Sequence, residues 1–488
     1  MASIKALVGQ TLIYGLGTIV PRLLNYALLT PFYTRVFQKG EYGSLTELYA
    51  YVAFLLVFLT YGMETTFFRF SESEKDDGKV FSTASWSMLF TTLPFVLIIL
   101  FFNQNIATLI EYADNPNYIL WLGLIVSLDV FFSIPFAKLR QQNKALRFTS
   151  IKLVNITVNI GLNFFFLYVL KDAYELNPSS GLGQYYSPEI GVGYVLIANL
   201  VSSGVVAILL LPEIIKSKWQ FDFELWKKMM AYALPLLIVG LAAMINEVAD
   251  KFLLKYILSE SQHPMEQVGI YGANYKLAVL MTIFIQMFKY AVEPFFFKQA
   301  KEKNAKESYA TIMKFFVIFG ISIFLGVTLF LDWIKYFIGS EFREGLKVVP
   351  IVLMANLFLG IYYNLSVWYK LTNKTQLGAV ISIAGAILTL AVNFAFIPQY
   401  GYMASAWATF GAYGLMMMLS WFWGRKYYPI SYPVRRILLY FSVSLIFFFS
   451  YQYLKFDSVA IQNVFGGTLL FSFVTLAFLL ERKEIKTL

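Results

Sequence analysis

Fourteen apolar segments constrain this chain more than any other feature. They centre near residues 21, 55, 91, 127, 159, 200, 244, 280, 322, 357, 387, 412, 444 and 470. Each is about the 20 residues that a helix needs to cross a hydrocarbon core of roughly 30 Å. With 58% hydrophobic and only 14% charged residues, and a mean hydropathy of +0.63, the balance lies outside that of soluble domains. The expected fold class is an all-α polytopic membrane protein with fourteen transmembrane helices.

The formal charge of +10 follows from how the loops alternate. One set of loops holds Arg69, Lys75 and Lys79, then Lys138, Arg140, Lys144 and Arg147, then Lys216 and Lys218, and continues so to Arg482, Lys483 and Lys486. The opposite set holds few bases, among them Arg35, Lys39, Lys171 and Lys455. Such an excess sets orientation and places both termini in the cytoplasm. The positive charge is therefore topology, and no nucleic-acid partner is expected. The chain has no cysteine, which excludes disulfides and thiolate metal sites. It carries no GxxxxGK[ST] phosphate loop. The single histidine, His263, sits in a short polar loop. The start, MASIKALVGQTLIYG, lacks a cleavage pattern and is read as a retained first span.

Polar residues inside the apolar segments carry the functional signal. The stretch Tyr232 to Ile257 contains Asn246, Glu247, Asp250 and Lys251 past its midpoint. Ionisable groups at that depth cost roughly 2.5–3.5 kcal/mol each, so they face a bundle interior or a wet cavity. In the first span, about 8–34, Thr11, Tyr14, Thr18, Arg22 and Asn25 recur at helical spacing, with Pro21 and Pro31 available to bend it. Span five repeats the device with Lys152, Asn155, Asn159 and Asn163, and span eight carries Lys276.

The second half of the chain repeats the first. YGMETTFFR from Tyr61 corresponds to YAVEPFFFK from Tyr290, which makes Glu64 and Glu293 equivalent. Asn163-Phe164 matches Asn393-Phe394, Gly193-Tyr194 matches Gly401-Tyr402, and Gly43 is paired with Gly269. The expected organisation is two parallel-repeat six-helix bundles, 1–215 and 230–424, with two C-terminal helices, 425–488, appended. Between the bundles, 216–229 reads as an amphipathic interfacial linker, KSKWQFDFELWKK. Parallel repeats place the site at their interface near the midplane.

TRVFQKGEYG (34–43), GMETTFFRF (62–70), DKFLLKYI (250–257) and VGIYGANYKLA (268–278) together resemble the prokaryotic polysaccharide-transporter or oligosaccharide-flippase family. That family belongs to the multidrug/oligosaccharidyl-lipid/polysaccharide exporter superfamily. The resemblance implies a flippase, not an enzyme, in the bacterial cytoplasmic membrane. Its cargo would be an undecaprenyl-pyrophosphate-linked oligosaccharide, moved between leaflets by alternating access around a cationic cavity. It implies no cofactor beyond Na⁺ or H⁺ coupling, a monomer among membrane lipids, and polysaccharide polymerase and chain-length proteins as partners. Rival readings are a cation-coupled multidrug exporter, a lipid II flippase, and a membrane polymerase or ligase. The last is disfavoured because the longest outer loop, 171–190, carries only Lys171, Asp172, Glu175 and Glu189 as charges.

Substrate-cavity candidates are Arg22, Asn25, Lys152, Asn155, Asn159, Lys251 and Lys276. Arg22 leads, because a guanidinium stays charged and binds phosphate bidentately. Its bland alternative is a salt bridge to Glu47, Glu247 or Asp250. Ion-coupling or gating candidates are Glu247, Asp250, Glu64 and Glu293. Glu247 and Lys251 could instead neutralise each other, leaving Asp250 for a cation. Glu64 and Glu293 could pair with Arg69 and Lys298. The asparagine stripe of span five reads equally as interhelical hydrogen bonding.

Overall fold

The computed structural model describes residue 17 and residues 19–485, apart from 75, 180, 300, 301, 303 and 373. Among these the chain is helical, without strands. In order the helices are α1 (19–36), α2 (Lys39–Thr60), α3 (Met63–Ser73), α4 (Asp77–Leu109), α5 (Pro116–Gln141), α6 (Ala145–Phe164, prolonged to Leu176), α7 (Gly193–Ile215) and α8 (Phe223–Ile257). Then follow α9 (Pro264–Leu277), α10 (Val279–Gln299), α11 (Ala305–Leu329), α12 (Val348–Leu365), α13 (Val367–Leu371), α14 (Thr375–Tyr400), α15 (Tyr402–Tyr427), α16 (Val434–Tyr453) and α17 (Val459–Ile485).

Eleven helices among the described residues are long and apolar enough to cross a membrane, or twelve if α9 and α10, bent by 52° at their junction, form one broken span. The expected count of fourteen is thus not reached by that measure. Helix α15 is long enough, but its run of Gly, Ser, Thr and Trp leaves it outside the apolar set. The first span lies only partly within the described residues, and Thr11, Tyr14 and Thr18 fall outside them.

Local chemistry explains the breaks. Pro31 has no N–H to offer the preceding turn, and immediately before it Asn25–Leu29 widens into a π-helical turn. Helix α2 opens on a capping box between Gln38 and Glu41. It ends where Tyr61 and Gly62 take left-handed conformations. At Gly62 a Cβ would lie 2.8 Å from the Leu236 Cβ, so α8 approaches that turn closely. A second π-helical turn, Phe165–Leu170, follows Asn163, whose amide takes the Asn159 carbonyl at 2.8 Å and so competes with the backbone ladder.

The chain divides into two compact units between Phe252 and Leu253. In the first, α8 runs antiparallel along α2: Gly240 meets Val57, and Phe252 packs on Tyr51 with ring centroids 4.6 Å apart. The stretch before α8, with the first turn of α8, is pinned to α4 by Gln220 N–H on Ser82 Oγ (2.6 Å), Trp226 Nε1 on Ser87 Oγ (2.8 Å) and the Lys79–Asp222 ion pair (2.5 Å). In the second unit, α17 is tied to α11 by a buried pair, Lys314 to Glu481 at 2.5 Å, and α16 joins the same carboxylate through Arg436 and Tyr440. The C-terminal helices are thus integrated by charge as well as by packing.

The repeat is visible in detail. Asn163 and Asn393 are both fully buried and each donates to the carbonyl four residues back, at 2.8 and 2.7 Å. Tyr42 and Tyr271 are likewise both fully buried, which matches Gly43 to Gly272 rather than to Gly269. The backbone twin of Gly401 (φ +53) is Gly191 (φ +48), not Gly193.

Candidate functional site

Two contacts set α1 beside α6 in the same direction and the same register. A Cβ on Gly17 would collide with Thr149, and Phe32 stacks on Phe164 with centroids 4.5 Å apart. Arg22 therefore lies level with Lys152–Asn155 on the neighbouring helix. Half-buried, its guanidinium sits 5.7 Å from the centroid of the Tyr26 ring. Among the described residues it has no carboxylate partner, so the salt bridge to Glu47, Glu247 or Asp250 does not form. Glu47, fully buried, instead accepts from the hydroxyls of Tyr51 (3.0 Å) and Tyr112 (2.6 Å). Asn25 is exposed and Asn155 half-buried.

The rest of the α6 stripe is divided between two uses. Asn159 donates to Ser202 Oγ at 3.4 Å, and Asn163 donates to Asn159 Oδ1 at 3.2 Å. The first bond joins α6 to α7, and the second braces Asn159 from within α6. Lys152 lies 4.2 Å from the Phe136 ring centroid and within electrostatic reach of Asp129. Asp129 accepts from Ser203 Oγ at 2.9 Å, and above it Asn199 donates to Tyr49 Oη at 3.3 Å. Asp129 is one of the acids inside the apolar segments, whereas Tyr49, Asn199 and Ser203 are not singled out by the sequence analysis. The i, i+3, i+4 spacing of Asn199, Ser202 and Ser203 was the available signal.

On α8 the pairing differs from the sequence expectation. Lys251 Nζ binds Asp250 Oδ1 at 2.7 Å and the Glu247 backbone carbonyl at 3.0 Å. Asp250 is 2% exposed and neutralised by its neighbour. The Glu247 carboxylate is exposed and, among the described residues, unpaired. Asn246 is occupied by the Ala242 carbonyl (3.1 Å) among its contacts. The partner of Glu64 is Arg140 at the end of α5, while Arg69 lies over the Tyr232 ring, 4.1 Å from its centroid. In the second unit, half-buried Lys276 ends α9 at the 52° break. The side chain of Glu293, on α10, lies outside the described residues.

At the base-rich end of the first unit, Glu213 faces three cations: Arg147 (2.7 Å), Lys138 (3.7 Å) and Lys144 (3.8 Å). Local charge there is positive beyond what one carboxylate offsets. The first unit thus offers a half-buried guanidinium with no counter-ion among the described residues, amides beside it, and a cationic end. That combination suits an anion bearing many hydroxyls, because fixed charge offsets phosphate desolvation and amides replace water.

The family model described as polysaccharide biosynthesis protein matches residues 7–300. Among solved structures, the chain is similar to the lipid II flippase MurJ in an inward-closed conformation, with TM-score 0.70 and 16% identity over 98% of each chain. It is also similar to a multidrug resistance transporter of the MATE family, MOP superfamily, in an inward-facing conformation. There the TM-score is 0.64 and the identity 12%, over 85% of this chain and 97% of that one. A third is a MATE transporter crystallised in the straight conformation, with TM-score 0.61 and 14% identity over 86% of this chain and 95% of that one. At these identities the likeness establishes the fold. A comparison with curated proteins gave no match.

Proposed function

The chain belongs to the polysaccharide biosynthesis protein family, and from that premise we propose that it flips an undecaprenyl-pyrophosphate-linked oligosaccharide from the inner to the outer leaflet of the bacterial cytoplasmic membrane. Transport proceeds by alternating access, with both termini cytoplasmic, and the protein is a carrier rather than an enzyme. The observation that carries this reading is Arg22: a half-buried guanidinium without a carboxylate partner among the described residues, level with Lys152 and Asn155. A cation left uncompensated inside a bundle is costly unless an anion visits it. The cargo's pyrophosphate supplies that anion, and its sugars find amides nearby.

A lipid-linked cargo is favoured over a cationic drug by the extent of the likeness, which is 98% of this chain for the lipid II flippase and 85% for the MATE transporter. Ion coupling rests on Glu247, the carboxylate that α8 leaves open. The test is reconstitution in liposomes with fluorescent lipid-linked oligosaccharide, scored by its appearance in the opposite leaflet. Arg22→Ala should lose movement while inserting normally, and Arg22→Lys should retain part of it. Undiminished flipping by Arg22→Ala would remove the assignment.

A further inference from the structure

At the base-rich end of the first unit, the α5–α6 connection and the last turns of α7 close on one carboxylate. Glu213 is buried there. Arg147 and Lys144 approach the same oxygen, Oε1, at 2.7 and 3.8 Å, and Lys138 approaches Oε2 at 3.7 Å. Lys138 is committed to the interior. Its Nζ also donates to the Glu213 carbonyl (3.1 Å) and to Ser217 Oγ (2.8 Å), and lies 4.1 Å from the Phe81 ring centroid. Asp77, a further acid in range of Lys138, is itself held by Gln141 at 3.3 Å. Arg147 and Lys144 stay open, with side chains 38% and 44% exposed. One carboxylate thus serves three cations, and the Arg147–Lys144 edge is short of negative charge. Helix α6 also starts here without a side-chain cap, so its dipole adds to the same sign.

Snorkelling to water explains why basic heads are exposed at a helix end. It does not explain a buried acid that draws two of them to one point. Converging cations offset the desolvation of an anion, and a guanidinium beside an ammonium offers a phosphodiester several charged donors at once. The surroundings select which phosphate. Leu146 is 71% exposed, and Ile208 and Ile215, two turns apart on one face of α7, are each 70% exposed. At membrane depth such side chains meet acyl chains. A soluble phosphate gains nothing from them, whereas a phospholipid uses both features, its headgroup on the bases and its chains along Leu146, Ile208 and Ile215. The cargo's pyrophosphate is served elsewhere: Arg147 precedes Lys152, and with it the level of Arg22, by about 7.5 Å of helix.

We propose that Arg147 and Lys144, gathered by Glu213, form a binding site for the headgroup of an acidic phospholipid in the leaflet on the base-rich side. The site stands whatever the carrier moves. The test is native mass spectrometry of the full-length protein, delipidated in detergent and titrated with phosphatidylglycerol or with phosphatidylcholine of the same chains. Wild type retains phosphatidylglycerol in preference. Arg147→Gln/Lys144→Gln weakens that binding about thirtyfold, at about 1 kcal/mol per base, and leaves phosphatidylcholine binding as it was. Lys138 remains to hold Glu213, so the double variant keeps its place in the fold; Arg147→Lys, which preserves the charge, keeps the preference. Arg425→Gln/Lys426→Gln removes two bases from the same set of loops without a buried acid between them, and should leave binding unchanged. Equal retention of the two lipids, or an equal loss in the Arg425/Lys426 variant, would reduce the effect to general surface charge and overturn the proposal. Displacement of phosphatidylglycerol by glycerol 3-phosphate would make this a soluble-phosphate site, and one-for-one displacement by the lipid-linked oligosaccharide would give the cluster to the cargo; either result overturns it.

Discussion

Arg22 and Lys152 carry the same charge on adjacent helices, and their surroundings set them apart. Lys152 answers Asp129, whereas Arg22 faces an aromatic ring. Asp129→Asn should therefore lower the apparent melting temperature in detergent, because Lys152 loses its counter-charge, and adding Lys152→Met should restore it. The same logic separates the α8 carboxylates. Asp250→Asn removes the carboxylate charge that faces Lys251, whose side chain is 12% exposed, and breaking a buried pair costs about 3–5 kcal/mol. Loss of thermal stability is the expected result. Glu247→Gln should leave the melting temperature unchanged and flatten the dependence of flipping on an imposed Na⁺ or H⁺ gradient. Gradient dependence retained in Glu247→Gln would assign coupling elsewhere.

Elements are joined in this protein by few and specific polar contacts on otherwise greasy surfaces. The α7–α8 connection docks on α4 through Asp222, whose carboxyl is held below the usual range by the Leu225 backbone N–H and by Lys79. A depressed carboxyl contributes stability above its unfolded pKa of about 4, and loses it as pH falls through the folded value. Acidification below about pH 4 should thus release the connection. The readout is quenching of Trp219, isolated by comparison with Trp219→Phe. Asp222→Asn should show high accessibility already at neutral pH, with no acid step. For the C-terminal helices, Glu481 gathers Lys314 (2.5 Å), Arg436 (3.2 Å) and the Tyr440 hydroxyl (2.5 Å). Lys314→Met should destabilise by roughly 3 kcal/mol, and Lys314→Met/Glu481→Leu by less, since the double change leaves no unpaired buried charge.

For the whole molecule, the distribution of bases predicts an orientation, and the absence of cysteine makes that prediction directly measurable. Lys218→Cys, in the base-rich α7–α8 connection, and Ser458→Cys, in the base-poor α16–α17 turn, should react with a membrane-impermeant maleimide from opposite sides of intact cells or spheroplasts. Labelling of both from one side would overturn the orientation read from the charge excess.

The sequence by itself determined the helical class, the repeat and the inventory of buried polar residues. Spans of twenty apolar residues admit few alternatives in lipid, and motifs such as Asn163 and Asn393 recur at matched positions. Tertiary structure alone decided which of those polar residues are spent. Whether Lys251 reaches Glu247 or Asp250, whether Glu64 meets Arg69 or Arg140, and whether Arg22 finds an acid all depend on rotamers and on which helix lies alongside. Helical periodicity reports the face a residue occupies; it carries no information about what that face meets.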